Sequence, residues 1–303
     1  MSKVIRIGTR DSQLALWQAR TVQEQLESLG YETKLIPVKS TGDLVLNKPL
    51  YELGITGIFT KTLDIAMLNG TVDIAVHSMK DVPTALPEGI VQTAVLERAS
   101  PSDILVMNGA PNFNNSCTIA TGSLRRKAQW LHRYPHHEVV GLRGNVNTRL
   151  QKLEDSHWQG AIFAKAGLER IQVLPSDYMD LDWMVPAPAQ GAMVVVAMAD
   201  DPLGVEATSK LNVTNSAICT HIEREFLRVL EGGCTAPIGA MAKIGNNLID
   251  FKGVLLSLDG QTRLVVEEQT PLEAYEGFGK KCAMLLLHNG GKKLMHEIKK
   301  EMS

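Results

Sequence analysis

Strand-like and helix-like segments alternate along the first two thirds of this 303-residue sequence, and no other feature restricts its fold as strongly. Residues 4–8, 34–39 and 73–78 have the apolar character of β-strands, whereas 12–29 and 58–68 have helical spacing. The run 73–78 is apolar almost throughout, which is typical of a strand buried on both faces of a parallel sheet. An α/β domain is therefore predicted at the start of the chain.

The same alternation restarts after a seam at residues 97–102. It predicts strands at 118–121, 139–142 and 161–164, with helices at 123–133 and 146–155. A second seam, rich in proline, covers residues 185–191, and the strand-like run 193–198 beyond it can return to the first sheet. A second α/β domain is predicted.

The last third has a different pattern. A long helix over 216–230 precedes strands at 240–244, 249–257 and 263–268, and helices follow within 271–289 and 291–300. Short polar turns between the strands indicate antiparallel hairpins. The prediction is two α/β domains plus a smaller α+β domain with a three-stranded antiparallel sheet. The predicted bounds are 1–97 with about 192–210, then 98–191, then 211–303.

Composition excludes several classes of function. The formal net charge of −2 argues against a general nucleic-acid binder, and 21% charged residues describe an ordinary soluble protein. No apolar stretch approaches the roughly 18 residues of a membrane span, and the N-terminus enters a strand-like run without a signal segment, so a cytoplasmic location is expected. The four cysteines lack zinc-site spacing, and His132, His136 and His137 are predicted to be solvated, so no metal is expected.

Three predicted strand-to-helix turns carry arginine or hydroxyl side chains. The chemistry-bearing residues are Arg10 and Ser12 in the first, Thr121, Ser123, Arg125 and Arg126 in the second, and Arg143 and Arg149 in the third. Open α/β sheets bind ligands at strand ends, and guanidinium groups suit carboxylate or phosphate. An ordinary helix cap with a solvated arginine explains any one turn equally well. Together they indicate a polyanion with several carboxylates, since no phosphate-loop motif supports a nucleotide.

Two further segments are candidates for chemistry. A predicted strand delivers His77, Ser78, Lys80 and Asp81 at its end, where a carboxylate can act as an acid or base or stabilise a developing cation. A solvated Lys-Asp turn is the alternative. Cys234 stands between two glycines and a nearby proline, and its accessible thiol suits a covalent attachment.

Taken in order, these motifs closely resemble the porphobilinogen deaminase family over essentially the whole chain. The matching segments are Thr9-Arg10-Asp11-Ser12, residues 14–19, His77-Ser78-Met79-Lys80-Asp81-Val82-Pro83, Ser123-Leu124-Arg125-Arg126, Arg143-Gly144-Asn145-Val146, Ala166-Gly167-Leu168, Gln190-Gly191-Ala192 and Glu231-Gly232-Gly233-Cys234. The resemblance implies a transferase of haem biosynthesis. It would join four porphobilinogens head to tail on a dipyrromethane cofactor, releasing four ammonias and, by hydrolysis, linear hydroxymethylbilane.

The resemblance also implies a fold and a set of roles. Two lobes like type II periplasmic binding proteins would enclose the active site, and the cofactor would be linked by a thioether to Cys234 on a third domain. Asp81 would be the principal catalytic carboxylate, with Lys80 beside it. The implied carboxylate-binding residues are Arg10, Ser12, Ser78, Thr121, Ser123, Arg125, Arg126, Arg143, Arg149 and Arg170. A monomer is expected, with no nucleic-acid or membrane partner.

The sequence departs from the family at one loop. Many members have two lysines where this chain has Glu52 and Thr56, and we hypothesise that Lys61 or Lys165 compensates. A repurposed or inactive homologue acting as a polycarboxylate-binding module is the main alternative. A solute receptor would need an export signal and no Cys234, and a transcription-factor domain would need a helix-turn-helix segment for which the N-terminus leaves no room.

Overall fold

Three β-sheets organise the chain in the computed structural model, which describes residues 3–39, 60–230 and 236–302. The strands are β1 Ile5–Arg10, β2 Thr33–Val38, β3 Ile74–Ser78, β4 Ile90–Val95, β5 Asp103–Met107, β6 Thr118–Ala120, β7 Glu138–Val140, β8 Gly160–Ala164, β9 Tyr178–Asp180, β10 Met193–Met198, β11 Ile238–Gly245, β12 Leu248–Leu256 and β13 Arg263–Pro271. The helices are α1 Gln13–Ser28, α2 Lys61–Leu68, α3 Leu124–Arg133, α4 Val146–Glu154, α5 Lys165–Arg170, α6 Pro202–Ser209, α7 Thr214–Val229, α8 Phe278–Leu286 and α9 Lys292–Met302.

The first two sheets follow one plan. Their strand orders are β2-β1-β3-β10-β4 and β7-β6-β8-β5-β9. In each, three parallel strands are followed by one that runs the other way, β10 in the first sheet and β5 in the second. The predicted α/β class is confirmed, and residues 193–198 do return to the first sheet. Both sheets are mixed, however, because their fourth strands enter from the opposite direction.

The third sheet is antiparallel, as predicted, with the order β11-β12-β13. Helices α7 and α8 pack on it around three aromatic rings. The ring centroids of Phe226 and Phe251 are 5.1 Å apart, and those of Phe251 and Phe278 are 6.1 Å apart, both edge to face. These large buried side chains explain why a short sheet with two helices holds a core of its own.

Two helix starts that matter for the candidate site are capped by serine hydroxyls. The hydroxyls of Ser12 and Ser123 accept from the backbone N–H of Ala15 and Arg126, each at 3.4 Å. The helical spacing of residues 12–29 places Trp17 on an apolar stripe with Leu14, Val22, Leu26 and Leu29, which predicts that its side chain packs in a core or a seam. Its side chain is instead 36% exposed.

The prediction of three solvated histidines is wrong for His137. Its ring is buried, stacks on Tyr134 at 4.9 Å between centroids, and accepts a hydrogen bond from Trp130 Nε1 at 3.2 Å. His132 lies 2.8 Å from the carbonyl of Gly260, which links α3 to the third sheet's last hairpin. Long-range aromatic packing of this kind leaves no mark in the spacing of the residues.

The chain crosses between the first two sheets twice, and the crossing segments bond to each other. The N–H of Ala99 donates to the carbonyl of Gly191 at 3.2 Å, and Arg98 Nε donates to the carbonyl of Gln190 at 2.9 Å. Gly191 has φ +86°, and a Cβ there would lie 2.5 Å from the Ala99 oxygen. Only glycine fits this position, because both the backbone conformation and the close approach exclude a side chain.

A buried carboxylate fastens these crossings to the third sheet. Glu223 of α7 is fully buried and accepts from both terminal nitrogens of Arg98, at 2.7 and 3.0 Å. It also accepts from the N–H of Ala189 at 2.7 Å and from that of Ala242 at 2.8 Å. Four donors and a full countercharge offset the cost of burying this ion.

None of the helices in the described ranges combines the length and the apolar composition needed to cross a bilayer.

Replacing Glu223 tests this junction. Glu223→Gln removes the charge opposite Arg98 and sets an NH₂ group against backbone N–H donors. We expect a loss of about 3–5 kcal/mol in the free energy of unfolding, as for other broken buried ion pairs. Urea unfolding followed by circular dichroism measures it. Glu206→Gln, at an exposed carboxylate, is the matched control and should change stability by less than about 0.5 kcal/mol. A Glu223→Gln protein as stable as the control would contradict the assignment.

Candidate active site

Asp81 lies in a single turn of 3₁₀ helix, Met79–Asp81, that directly follows β3. The N–H of Met79 donates to the carbonyl of Ala192 at 3.0 Å, which fastens the turn to the segment entering β10. The Asp81 side chain lines a small pocket of about 70 Å³ between this turn and the start of α1. Arg10, Ser12, Gln18, His77 and Ser78 are among the other residues that line it.

The polar side chains of this pocket are partly committed to one another. Gln18 Nε2 donates to Ser78 Oγ at 2.9 Å, and Ser12 Oγ caps α1. Burial, and then the positive charge of Arg10, lower the pKa of His77 to about 4. His77 is therefore neutral at physiological pH and leaves Arg10 as the cation of the pocket.

Cations of the second sheet reach the same region. Burial lowers the pKa of Arg149 to about 10, assisted by the positive charges of Arg126, Arg143 and Arg10 and opposed by Asp81. Arg10 ends β1 of the first sheet, whereas Arg126, Arg143 and Arg149 follow strands of the second sheet. The charges of the two sheets therefore act on one another. Arg149 Nε also donates to the carbonyl of Gly144 at 2.7 Å, which holds it against its own turn.

The second and third arginine-bearing turns touch because of a glycine. A Cβ on Gly122 would lie 2.4 Å from the carbonyl oxygen of Leu142, so any other residue would push the two turns apart. The hydroxyl of Thr121 accepts from the N–H of Ser123 at 3.3 Å, while Ser123 caps α3. Both hydroxyls therefore shape the helix start beside Arg143.

Arg125 and Arg126 form a buried cluster around Asp103, which is fully buried at the start of β5. Arg126 Nη2 lies 2.7 Å from Asp103 Oδ1, and Arg125 Nη1 lies 2.7 Å from Oδ2. Burial would raise the pKa of Asp103, but the two guanidiniums outweigh it and hold that pKa far below its usual range. The resemblance implied that both arginines hold ligand carboxylates.

Arg125 fits that role poorly. It is 5% exposed, and its Nη1 also donates to the carbonyl of Val185 at 2.8 Å. Arg126 is equally buried, at 6% exposed, and donates to Asp103 Oδ1 and to the carbonyl of Ile162. We therefore interpret both arginines as supports of the cluster, and the charge of Arg126 also acts on Lys80 and Arg149.

Gln190 connects this cluster to Lys80. Its Nε2 donates to Asp103 Oδ1 at 2.9 Å and to the carbonyl of Pro101 at 2.7 Å, and its Oε1 accepts from Lys80 Nζ at 3.3 Å. Burial lowers the pKa of Lys80 to about 8, assisted by Arg126 and opposed by Asp81. Lys80 thus titrates close to neutral pH.

Arg170 lies apart from Asp81. Its guanidinium packs 5.6 Å from the ring centroid of Trp17 and donates to the carbonyl of Gly191 at 2.7 Å. It lines a groove of about 260 Å³ between α1 and α5, with Gln13 and Arg20. These α1 residues are on the opposite helical face from Leu14, Ala15 and Gln18 of the Asp81 pocket.

The proposed compensation for the missing lysines is not supported for Lys165. Its Nζ lies 3.0 Å from Asp180 and 4.9 Å from the Tyr178 ring centroid, so its charge is neutralised locally. Lys61 is exposed at the start of α2. Glu52 and Thr56, and also Cys234, lie outside the described residues.

Sequence reasoning missed Asp103 and the side-chain role of Gln190. One signal was available for the aspartate, because a charged residue opens the apolar run 104–107. Charged groups at the end of a fully buried strand need a partner, and two adjacent arginines offered one. No sequence spacing relates residues 103 and 190.

The arrangement favours an anionic ligand with more than one negative charge. Arg10 lines the pocket of Asp81, and the charges of Lys80 and Arg149 both interact with Asp81. Burial, and then repulsion from neighbouring cations, lowers the pKa values of Lys80 and Arg149. A carboxylate-rich ligand would relieve that repulsion. Within residues 3–39, 60–230 and 236–302, no group of three or more His, Cys, Asp or Glu side chains is placed to hold a metal ion.

Comparison with known proteins gives a consistent result. The family model "Porphobilinogen deaminase, dipyromethane cofactor binding domain" matches residues 5–205, and "Porphobilinogen deaminase, C-terminal domain" matches 217–288. The porphobilinogen deaminase of Syntrophotalea carbinolica is 38% identical over 301 residues, covering 97% of this chain and 96% of its own. That of Nitratiruptor sp. is 41% identical over 299 residues, covering 96% of each.

Among solved structures, the probable amino-acid transporter binding protein YtmK of Bacillus subtilis matches with a TM-score of 0.44 and 11% identity, over 70% of this chain and 90% of its own. The sequence relationships are far closer and extend over both family models. The chain belongs to the porphobilinogen deaminase family.

Proposed function

We propose that this chain is a hydroxymethylbilane synthase. It joins four porphobilinogen molecules head to tail on a dipyrromethane primer, releases four ammonias, and liberates linear hydroxymethylbilane by hydrolysis. The observation that carries the proposal is the position of Asp81, a carboxylate near cations from both sheets. The alternative of a non-catalytic binding module has no support among the relatives named above.

The basic surroundings of Asp81 fit the primer. Two pyrrole rings with acetate and propionate side chains carry four carboxylates, which matches a region where buried cations outnumber carboxylates and have lowered pKa values. Arg143 and Arg149 would hold these carboxylates, with Ser12, Ser78, Thr121 and Ser123 as hydroxyl donors, while the buried Arg126 adds positive charge without direct contact. When bound, the primer would supply the nucleophilic pyrrole carbon for the first addition, and each newly joined ring would supply it for the next.

Asp81 would act on the incoming porphobilinogen. In this proposal its carboxylate accepts a hydrogen bond from the pyrrole N–H and stabilises the positive charge that develops as ammonia leaves. Lys80 and Arg10 bind the substrate's acetate and propionate and so orient the aminomethyl group, from which ammonia leaves while the methylene carbon stays on the pyrrole. A fixed carboxylate in a small pocket stabilises such a charge better than water does, because it need not reorient.

We propose Cys234 as the primer's thioether attachment site. Support comes from the chain's other cysteines, since Cys117, Cys219 and Cys282 are all buried. Burial raises the pKa of Cys219 to about 11 and that of Cys282 to about 12, and it also raises the pKa of Cys117. Thiols of this kind are unreactive at neutral pH.

The three sheets support a division into three domains, 1–97 with about 192–210, then 98–191, then 211–303. We further propose that the enzyme works as a cytoplasmic monomer.

Asp81→Ala should retain the fold and the primer yet lose most turnover. We expect kcat to fall about 100- to 1,000-fold, the usual loss when a preorganised charge-stabilising group is removed. Ammonia release and uroporphyrin formation after spontaneous ring closure measure it. Asp200→Ala, at an exposed aspartate, is the control and should match wild type. Near-normal turnover in Asp81→Ala would refute the role.

Intact-protein mass spectrometry tests the attachment. Wild-type protein from a host that makes porphobilinogen should show an excess mass equal to two linked pyrrole units. Cys234→Ser should lose that excess, whereas Cys117→Ser should keep it. An unmodified wild type, or a Cys234→Ser protein that retains the excess, would sink the attachment proposal.

The titration of Lys80 predicts a pH dependence. Since the Lys80 pKa is about 8, its positive charge is present below that pH and is lost above it. We expect kcat/KM for porphobilinogen to decline as pH rises through about 8, because the carboxylates lose a partner. Lys80→Arg keeps its charge and should move this decline to higher pH. An identical decline in Lys80→Arg would show that another group is responsible.

A further inference from the structure

Arg224 of α7 reaches across to the turn that carries Asp81. Its Nη1 donates to the carbonyls of Met79 and Val82, at 3.2 and 2.9 Å, and its Nη2 donates to that of Pro83 at 2.6 Å. The three acceptors stand on both sides of Asp81 in the sequence. One guanidinium from the third sheet's long helix therefore spans the whole turn.

Besides Arg224, the backbone of the turn is held by the bond from the Met79 N–H to the carbonyl of Ala192, and its internal hydrogen bonding is weak. A single turn of 3₁₀ helix is intrinsically weak, and its one internal backbone bond joins the N–H of Val82 to the carbonyl of Met79 at 3.2 Å. Hydrogen bonds from a charged donor are shorter and stronger than neutral ones. The planar fork of Arg224 reaches the three carbonyls from two nitrogens held in a fixed geometry, whereas a lysine would have to reach them from a single nitrogen.

The base of this arginine is itself fixed. The preceding residue, Glu223, is fully buried and accepts from Arg98 and from the N–H groups of Ala189 and Ala242. Arg224 therefore projects from a backbone held on several sides. Its guanidinium is therefore preorganised to bind the three carbonyls, and these bonds fix the position of the turn relative to α7.

We propose that Arg224 is a positioning residue of the deamination reaction, which holds the Met79–Asp81 turn so that Asp81 and Lys80 keep their places in the site. The inference rests on the proposed function of Asp81. Arg224 touches backbone carbonyls and not the reacting atoms, so its effect is exerted through the geometry of the turn. Small displacements of a catalytic group are costly, and a shift of about 1 Å can reduce turnover 100-fold.

The test compares the holoenzyme with Arg224→Met, which keeps an apolar stem but donates no hydrogen bonds, and with Arg224→Lys. Arg228→Met, at an exposed arginine one turn further along α7, is the matched control. We expect Arg224→Met to lower kcat about 10- to 100-fold while KM changes less than about threefold. Arg224→Lys should recover part of the loss, and Arg228→Met should match wild type. Intact mass should show the primer attached in every variant.

Hydrogen exchange provides a readout that does not depend on activity. The amide of Val82 should exchange faster in Arg224→Met than in wild type or in Arg228→Met, because the turn loses part of its external support. If Arg224→Met does not fold, Arg224→Lys carries the test, and its kcat and Val82 exchange should still differ from wild type in the same directions.

Asp81→Ala, measured in parallel, separates this inference from the function on which it rests. An inactive Asp81→Ala beside Arg224 variants with wild-type kcat and unchanged exchange would overturn the inference alone. A loss of thermal stability in Arg224→Met, with kcat at 25 °C within twofold of wild type, would likewise reduce Arg224 to a structural contact. An active Asp81→Ala would overturn the proposed function itself.

Discussion

The buried carboxylate of Glu223 joins the two segments that connect the first and second sheets to a strand of the third sheet. Its partners are Arg98 and Ala189, in the two crossings between the first and second sheets, and Ala242 in the third. An isolated buried carboxylate would be strongly unfavourable, so all of these donors must be present together. The relative placement of the strand ends, where the candidate site lies, therefore depends on one ion pair and two backbone bonds.

The charge balance at the site follows a second constraint. Asp103 is one carboxylate shared by two guanidiniums, and Lys80 approaches the same cluster through Gln190. The cluster is therefore stable as a structural unit, yet its net charge remains positive. Burial is the main cause of the lowered pKa of Lys80, and the positive charge of Arg126 lowers it further. The excess positive charge favours an anionic ligand. The fold thus tolerates mutually repelling cations because Asp103 neutralises part of the positive charge of Arg125 and Arg126.

Much of the architecture could be predicted because its signals are local. Apolar runs and helix caps at Ser12 and Ser123 determine where elements start, and the strand-like run 193–198 visibly follows a proline-rich seam. The strands β4 and β5 were missed because each is a short run beside a seam, with no periodicity to distinguish it. The pairing of Asp103 with Arg125, and the exposure of Trp17, depend on contacts between distant segments, which spacing along the chain does not encode.

Consecutive residues of α7 perform different tasks, and this has a consequence for elongation. Glu223 fixes the crossings, Arg224 holds the Asp81 turn, and the helix ends at Val229, five residues before Cys234. If the primer is attached at Cys234, its attachment point follows α7 in the chain, and the same helix also contacts the Asp81 turn through Arg224. Each addition lengthens the chain between that anchor and Asp81, so the rings already joined must be displaced sideways. We propose that the arginines of the second sheet receive their carboxylates.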